Sequence, residues 1–179
     1  MRSQASLFVL KLLALIGLTA ATSFLHHGHI RQFLLLVQDL LSRRLKGSQP
    51  QPNLRMQPSF VQVYFDDPVV HYEVWVQRKT RSLEIGLHFE GDREESQRWA
   101  QALSRRAPEI QALLGPRVEL EEWTRKWTRL HESRAVGGDE WRPSQSLTPE
   151  LAEEVAERLA RYIEAMEPIL AEERAGVVR

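Results

Sequence analysis

Residues 69–90 read VVHYEVWVQRKTRSLEIGLHFE, two alternating runs joined by a short polar break. In Val69–Lys79, Val70, Tyr72, Val74 and Val76 fall on one side, and His71, Glu73, Trp75, Gln77 and Lys79 on the other. In Ser82–Glu90, Leu83, Ile85, Leu87 and Phe89 alternate with Glu84, Gly86, His88 and Glu90. A period of two sends successive side chains to opposite faces of a strand, so the stretch reads as a β-hairpin. A slip of one residue would turn an apolar row into water, which fixes the faces. A two-residue loop at Thr80-Arg81 pairs Val76 with Ile85, Val74 with Leu87 and Tyr72 with Phe89. On the other face it sets Gln77 against Glu84, Trp75 against Gly86, Glu73 against His88 and His71 against Glu90. Trp75 would then shield the bare backbone of Gly86.

The pattern continues outward in both directions. Ser59–Phe65 alternates as well, and Asp66-Asp67-Pro68 supplies the turn chemistry that leads into the hairpin. Asp92 followed by Glu95 forms a capping box. Beyond it Trp99, Leu103, Ala107, Ile110 and Leu114 make one helical face, with Pro108 dividing the helix and Gly115-Pro116 ending it. Arg117–Trp123 reads as a strand, and Thr124–Glu132, whose tryptophans fit either periodicity, as its hairpin partner. Val136–Pro143 is a loop. Thr148-Pro149-Glu150 opens a last helix, with Leu151, Val155, Leu159, Tyr162 and Met166 on one stripe and Glu154→Arg158 and Glu157→Arg161 as i,i+4 pairs. The class is therefore α+β: antiparallel hairpins packed against two helices, in a domain over 59–172 with a tail at 173–179.

A hydrophobic helical arm over 1–46 precedes this domain. Leu7–Leu25 is apolar apart from Lys11 and small hydroxyl residues, barely long enough to cross a bilayer core at about 1.5 Å per residue. It also has the look of a signal-peptide core, with Thr19-Ala20-Ala21 as an acceptable cleavage site. Ile30–Leu45 is amphipathic and basic, suited to a membrane surface or to ordinary packing. Residues 7–45 are thus a candidate membrane contact. Arg31, Arg43, Arg44 and Lys46, following the first helix, place the body on the cytoplasmic side, anchored to the inner face of the membrane. Lys46–Pro58 is a linker by composition, and Met56 is an alternative start that would leave the body cytoplasmic.

Lys+Arg and Asp+Glu each total 24 in 179 residues, a balance that hides a division. Residues 1–55 carry seven basic residues against Asp39 alone, and the remainder 17 basic against 23 acidic. An acidic body has no net attraction for nucleic acid, which leaves a protein partner or a second copy of the chain as the better expectation. The absence of cysteine excludes disulfides, thiolate metal sites and cysteine nucleophiles.

The run HYEVWVQRKTRSLEIGLHFEG, the helix ending LLG, VELEEW and the acidic last helix together resemble a family of uncharacterised bacterial proteins. The LG…EW half with its last helix is more distantly similar to a domain of unknown function found behind endonuclease-like modules. The resemblance spans Met56–Leu170. It implies a recurrent prokaryotic domain, an accessory to nucleic-acid enzymes, and carries over no catalytic residue.

Two constellations offer chemistry. His71, Glu73, His88 and Glu90 form a two-by-two array whose opposed Cβ atoms lie about 5 Å apart, able to bind a divalent metal or simply to pair as His–Glu neighbours. Asp67 followed by Gln77-x-Lys79 loosely matches metal-dependent nucleases, with Gln77 where a carboxylate is wanted. The basic-aromatic run from Trp123 to Arg129 suits base stacking, but Glu119, Glu121 and Glu122 flank it. His26, His27 and His29 read as a solvated turn. Glycine-rich phosphate loops and dinucleotide fingerprints are missing, so no organic cofactor is expected and a divalent metal is the one the residues admit. The expected function is a small non-enzymatic binding or assembly module, the alternative a metal-dependent hydrolase or nuclease-like accessory protein.

Overall fold

A computed structural model describes residues 28–48, 50–138 and 141–177. The apolar stretch Leu7–Leu25, the site after Ala21, and His26 and His27 lie outside them. The elements are α1 (28–44), β1 (Asn53–Met56), β2 (Phe60–Tyr64), β3 (Val70–Gln77), β4 (Ser82–Phe89), α2 (Arg93–Arg105), α3 (Ala107–Leu114), β5 (Glu119–Glu121), β6 (Thr128–Ala135), α4 (Pro143–Ser146) and α5 (Pro149–Val177). The strands form one antiparallel sheet in the order β1-β2-β3-β4-β6-β5. The α+β class is as the alternation and helical stripes require.

The apolar rows of the hairpin do what their pattern demands. Val70, Tyr72, Val74, Val76, Leu83, Ile85, Leu87 and Phe89 are all buried, in one core with Leu103, Ile110, Leu114 and the α5 stripe Leu151, Val155, Leu159, Tyr162 and Met166. The helices pack on this side. Asp92 caps α2 by accepting from the Glu95 amide at 2.8 Å, and Pro108 falls in the first turn of α3, where a missing N–H costs nothing. In the last helix, Arg158 and Glu154 leave the expected i,i+4 pairing. Arg158 binds Glu132 at 2.6 Å and the Leu114 carbonyl, and Arg134 binds Glu154 at 2.9 Å, so α5 is tied to β6.

Two expectations are corrected. The hairpin register is shifted by two residues: Gln77 pairs with Ser82, His71 with His88, Glu73 with Gly86 and Trp75 with Glu84. The loop is therefore 78–81 rather than Thr80-Arg81, with Arg81 taking φ 53°. A shift of two leaves the faces unchanged, which is why burial patterning could not detect it. Secondly, Asn53–Met56 forms β1 inside the expected linker. It is a short outer strand, and its neighbouring Pro52 and Pro58 mask the signal. Of the two readings open for the amphipathic stripe, α1 takes ordinary packing and lies in the sheet's own core: Ile30, Phe33, Leu34, Val37, Leu41 and Leu45 are buried, and Arg44 reaches Glu153 of α5 at 3.0 Å. An amphipathic helix has the same pattern whether a bilayer or a sheet takes its apolar side. Among the described residues no helix is long and apolar enough to cross a membrane.

Candidate functional site

The sheet face away from the helical core carries an unusual load of charge. His71, Glu73, Glu84, His88 and His131 are all buried, on β3, β4 and β6. Alternation puts them there, because each is the polar neighbour of a core residue. Their burial comes from one another and from the loop 122–127, whose Trp123 ring lies 6.0 Å from His88 and 6.3 Å from Trp75. The Thr124 hydroxyl fixes that loop by accepting from the amides of Lys126 and Trp127.

His71 and His88 face each other directly across β3 and β4, with rings stacked at 5.4 Å and 26°. His71 is held on both sides: Nδ1 is 2.8 Å from the Pro68 carbonyl and Nε2 is 3.0 Å from the Gln62 amide. Gln62 also donates to Glu73 at 3.0 Å. His88 has no aligned hydrogen bond at either nitrogen, though its ring is 1% exposed. Its Nε2 is 3.3 Å from Glu84 and its Nδ1 is 3.8 Å from Glu90. Burial disfavours the charged ring, but Glu84, Glu90 and Glu73 outweigh that and raise its pKa to about 9. Glu84 is the centre of the neighbouring network. It accepts from Arg129 at 2.8 Å and from Gln77 at 2.6 Å. Burial pushes its carboxyl up, yet His88 and Arg129 hold it below the usual range. His88 likewise holds Glu90 low. His131, buried beside Arg129, is lowered chiefly by burial.

The structure thus brings together most of the expected array in a different arrangement. One ligand atom each from His71, His88 and Glu90 lies within 4.8 Å of the others. Glu73 stands outside that group, 3.7 Å from His71 Nε2. The nuclease-like set is not brought together. Asp67 sits in the β2–β3 turn, accepting from the Val69 amide, whereas Gln77 ends the eight-residue strand β3 at its far end and Lys79 follows it. At roughly 3.3 Å per residue that is about 25 Å away, too far to share an ion. Gln77 is occupied by Glu84 and Thr80 instead.

Glu84, His131 and Gln62 carry no site signal in the sequence, and Arg129 stands out there only as the end of the basic-aromatic run. Glu84 shared a face with His88 and was visible as such. Arg129 and His131 required knowing that β6 pairs with β4, which no local pattern encodes. No family model matches this chain, and neither a curated protein nor a solved structure matches it.

Proposed function

We propose that the protein is a binding module that meets a protein partner through the sheet face not packed by helices. The observation that carries this reading is an aromatic strip outside the core. Phe60 and Trp75 are paired neighbours on β2 and β3, and Trp123 and Trp127 follow from the loop over them. All four are half-buried and none belongs to the hydrophobic core. Tryptophan and arginine are the side chains that most often anchor protein interfaces, and Arg129 stacks on Trp123 at 5.0 Å. Exposed Glu119 and Glu122 border the strip beside exposed Arg125 and Lys126, with Glu121 paired to Arg129. The rim therefore carries both signs of charge, which suits a protein surface better than a nucleic-acid backbone. Among the described residues, clefts lie elsewhere, between α2 and the end of α5, between α2 and β5, and between β6 and α5, and none of these three is lined by the histidines.

Two soluble baits test this: the wild-type chain and a Trp75→Ser/Trp127→Ser variant whose fold is verified by circular dichroism. A protein captured directly by the wild type, binding the variant at least tenfold more weakly, supports the assignment. Equal binding to both, or turnover of phosphodiester, ester or peptide substrates abolished by the array's mutation, overturns it in favour of the hydrolase.

A further inference from the structure

We propose that His71, His88 and Glu90 form a binding site for a divalent transition-metal ion of the Zn²⁺ type that clamps β3 to β4. The site stands independently of the aromatic strip. Donors around a tetrahedral zinc ion, with bonds of about 2.0–2.1 Å, lie about 3.3 Å apart. His88 Nδ1 and Glu90 Oε1 are already 3.8 Å apart, and the whole triple spans no more than 4.8 Å. Small side-chain rotations close that difference without moving the strands.

His88 supplies the second, independent reason. Buried polar atoms in proteins nearly always have a partner, and the two ring nitrogens of this buried histidine lack an aligned one. An ion on Nδ1 displaces the proton that the surrounding carboxylates hold there, releasing it to solvent, and gives that atom a partner. It leaves Nε2–H directed at Glu84, 3.3 Å away. That is the carboxylate–histidine–metal arrangement which fixes the tautomer and orientation of a ligating imidazole. His71 is prepared in the same sense. Whichever of its nitrogens turns to the ion, the other retains a fixing partner, Pro68 on one side or Gln62 on the other.

Charge and access agree. Glu73, Glu84 and Glu90 surround the stacked rings, so a dication arrives where negative charge is already gathered. Two imidazoles and one carboxylate are the donor set that borderline divalent ions prefer. The Glu90 side chain is 27% exposed and sits at the end of the sheet, where its amide meets the Val69 carbonyl, so the ion enters there. Trp123 closes the site from above, and the ion's role is to cross-link strands.

The test uses the full chain stripped with chelator, titrated with Zn²⁺ by calorimetry and with Co²⁺ by visible absorption. The expected result is one equivalent bound, with a raised melting temperature by mass action. Glu90→Gln at the partly exposed position, and separately His88→Asn, should each weaken binding by at least about tenfold, since even outer partners of a ligand contribute that much. A His26→Ala/His27→Ala/His29→Ala variant should bind as the wild type does. Absence of binding by the wild type overturns the proposal. So does undiminished affinity in Glu90→Gln and His88→Asn, or loss of the ion in the amino-terminal histidine variant.

Discussion

Gly86 on β4 and His131 on β6 face each other so closely that a Cβ on Gly86 would lie 2.7 Å from the Cβ of His131 and 2.8 Å from the Leu130 carbonyl oxygen. The glycine is there for the strand on its β6 side, where a side chain has no room. Gly86→Ala should therefore destabilise by about 1–3 kcal/mol through overpacking. Urea denaturation read by tryptophan fluorescence measures it. An unchanged midpoint would mean that β6 stands further off than 2.7 Å allows.

Glu84 is the carboxylate of the open face that meets both Arg129 and the raised-pKa His88, with the His131 ring 3.7 Å away. Glu84→Ala should cost up to about 3–5 kcal/mol, because the buried His88 is left with the more distant Glu90 and Arg129 with Glu121 alone. Glu84→Gln should cost less, since the amide oxygen still accepts from Arg129. A paired melt of the two variants against the wild type separates loss of charge from loss of the acceptor.

This network shows where sequence reading succeeds and where it stops. The faces of β3 and β4 were legible, because burying Val74 and Ile85 dictates where His71 and His88 go. Register was not, since a shift of two preserves both faces and only the loop 78–81 decides it. That one step replaced a histidine–glutamate pairing with a stacked histidine pair. Nor could local pattern bring Arg129 to Glu84, 45 residues away in sequence. The stripes of α1 and α5 were equally plain, but the α1 stripe fits a bilayer surface as well as it fits a sheet.

Acid should weaken the fold through His131. Burial lowers its pKa in the folded state from the ordinary value of 6.5, so the unfolded chain takes up the proton first. Its contribution is complete above about pH 6.5 and is lost as pH falls through that value toward the folded-state pKa. In His131→Asn the stability profile between pH 6.5 and 5 should be flatter than in the wild type. Identical slopes would show that the ring is as free to charge in the fold as out of it.

Trimming the chain to Met56–Arg179 removes α1 with the turn after it, six buried side chains from Ile30 to Leu45, and three of the four residues of β1. At about 1.5–3 kcal/mol for each large apolar side chain, the loss rivals the whole stability of an ordinary domain. The trimmed chain should bind a hydrophobic dye and melt without a cooperative transition. A sharp melt at the temperature of the full chain would show that the body needs neither α1 nor a complete β1.

The outermost strands of the sheet are its shortest but one and its shortest: β1 has four residues and β5 three. Such stubs offer few free backbone groups, so another chain gains little register by adding to either rim. Growth of the sheet sideways into fibres or strand-swapped pairs is discouraged by length alone. The same brevity constrains recognition: a visitor that orders itself on this protein must settle broadside on to it, making its contacts through side chains rather than by extending a ladder of peptide bonds.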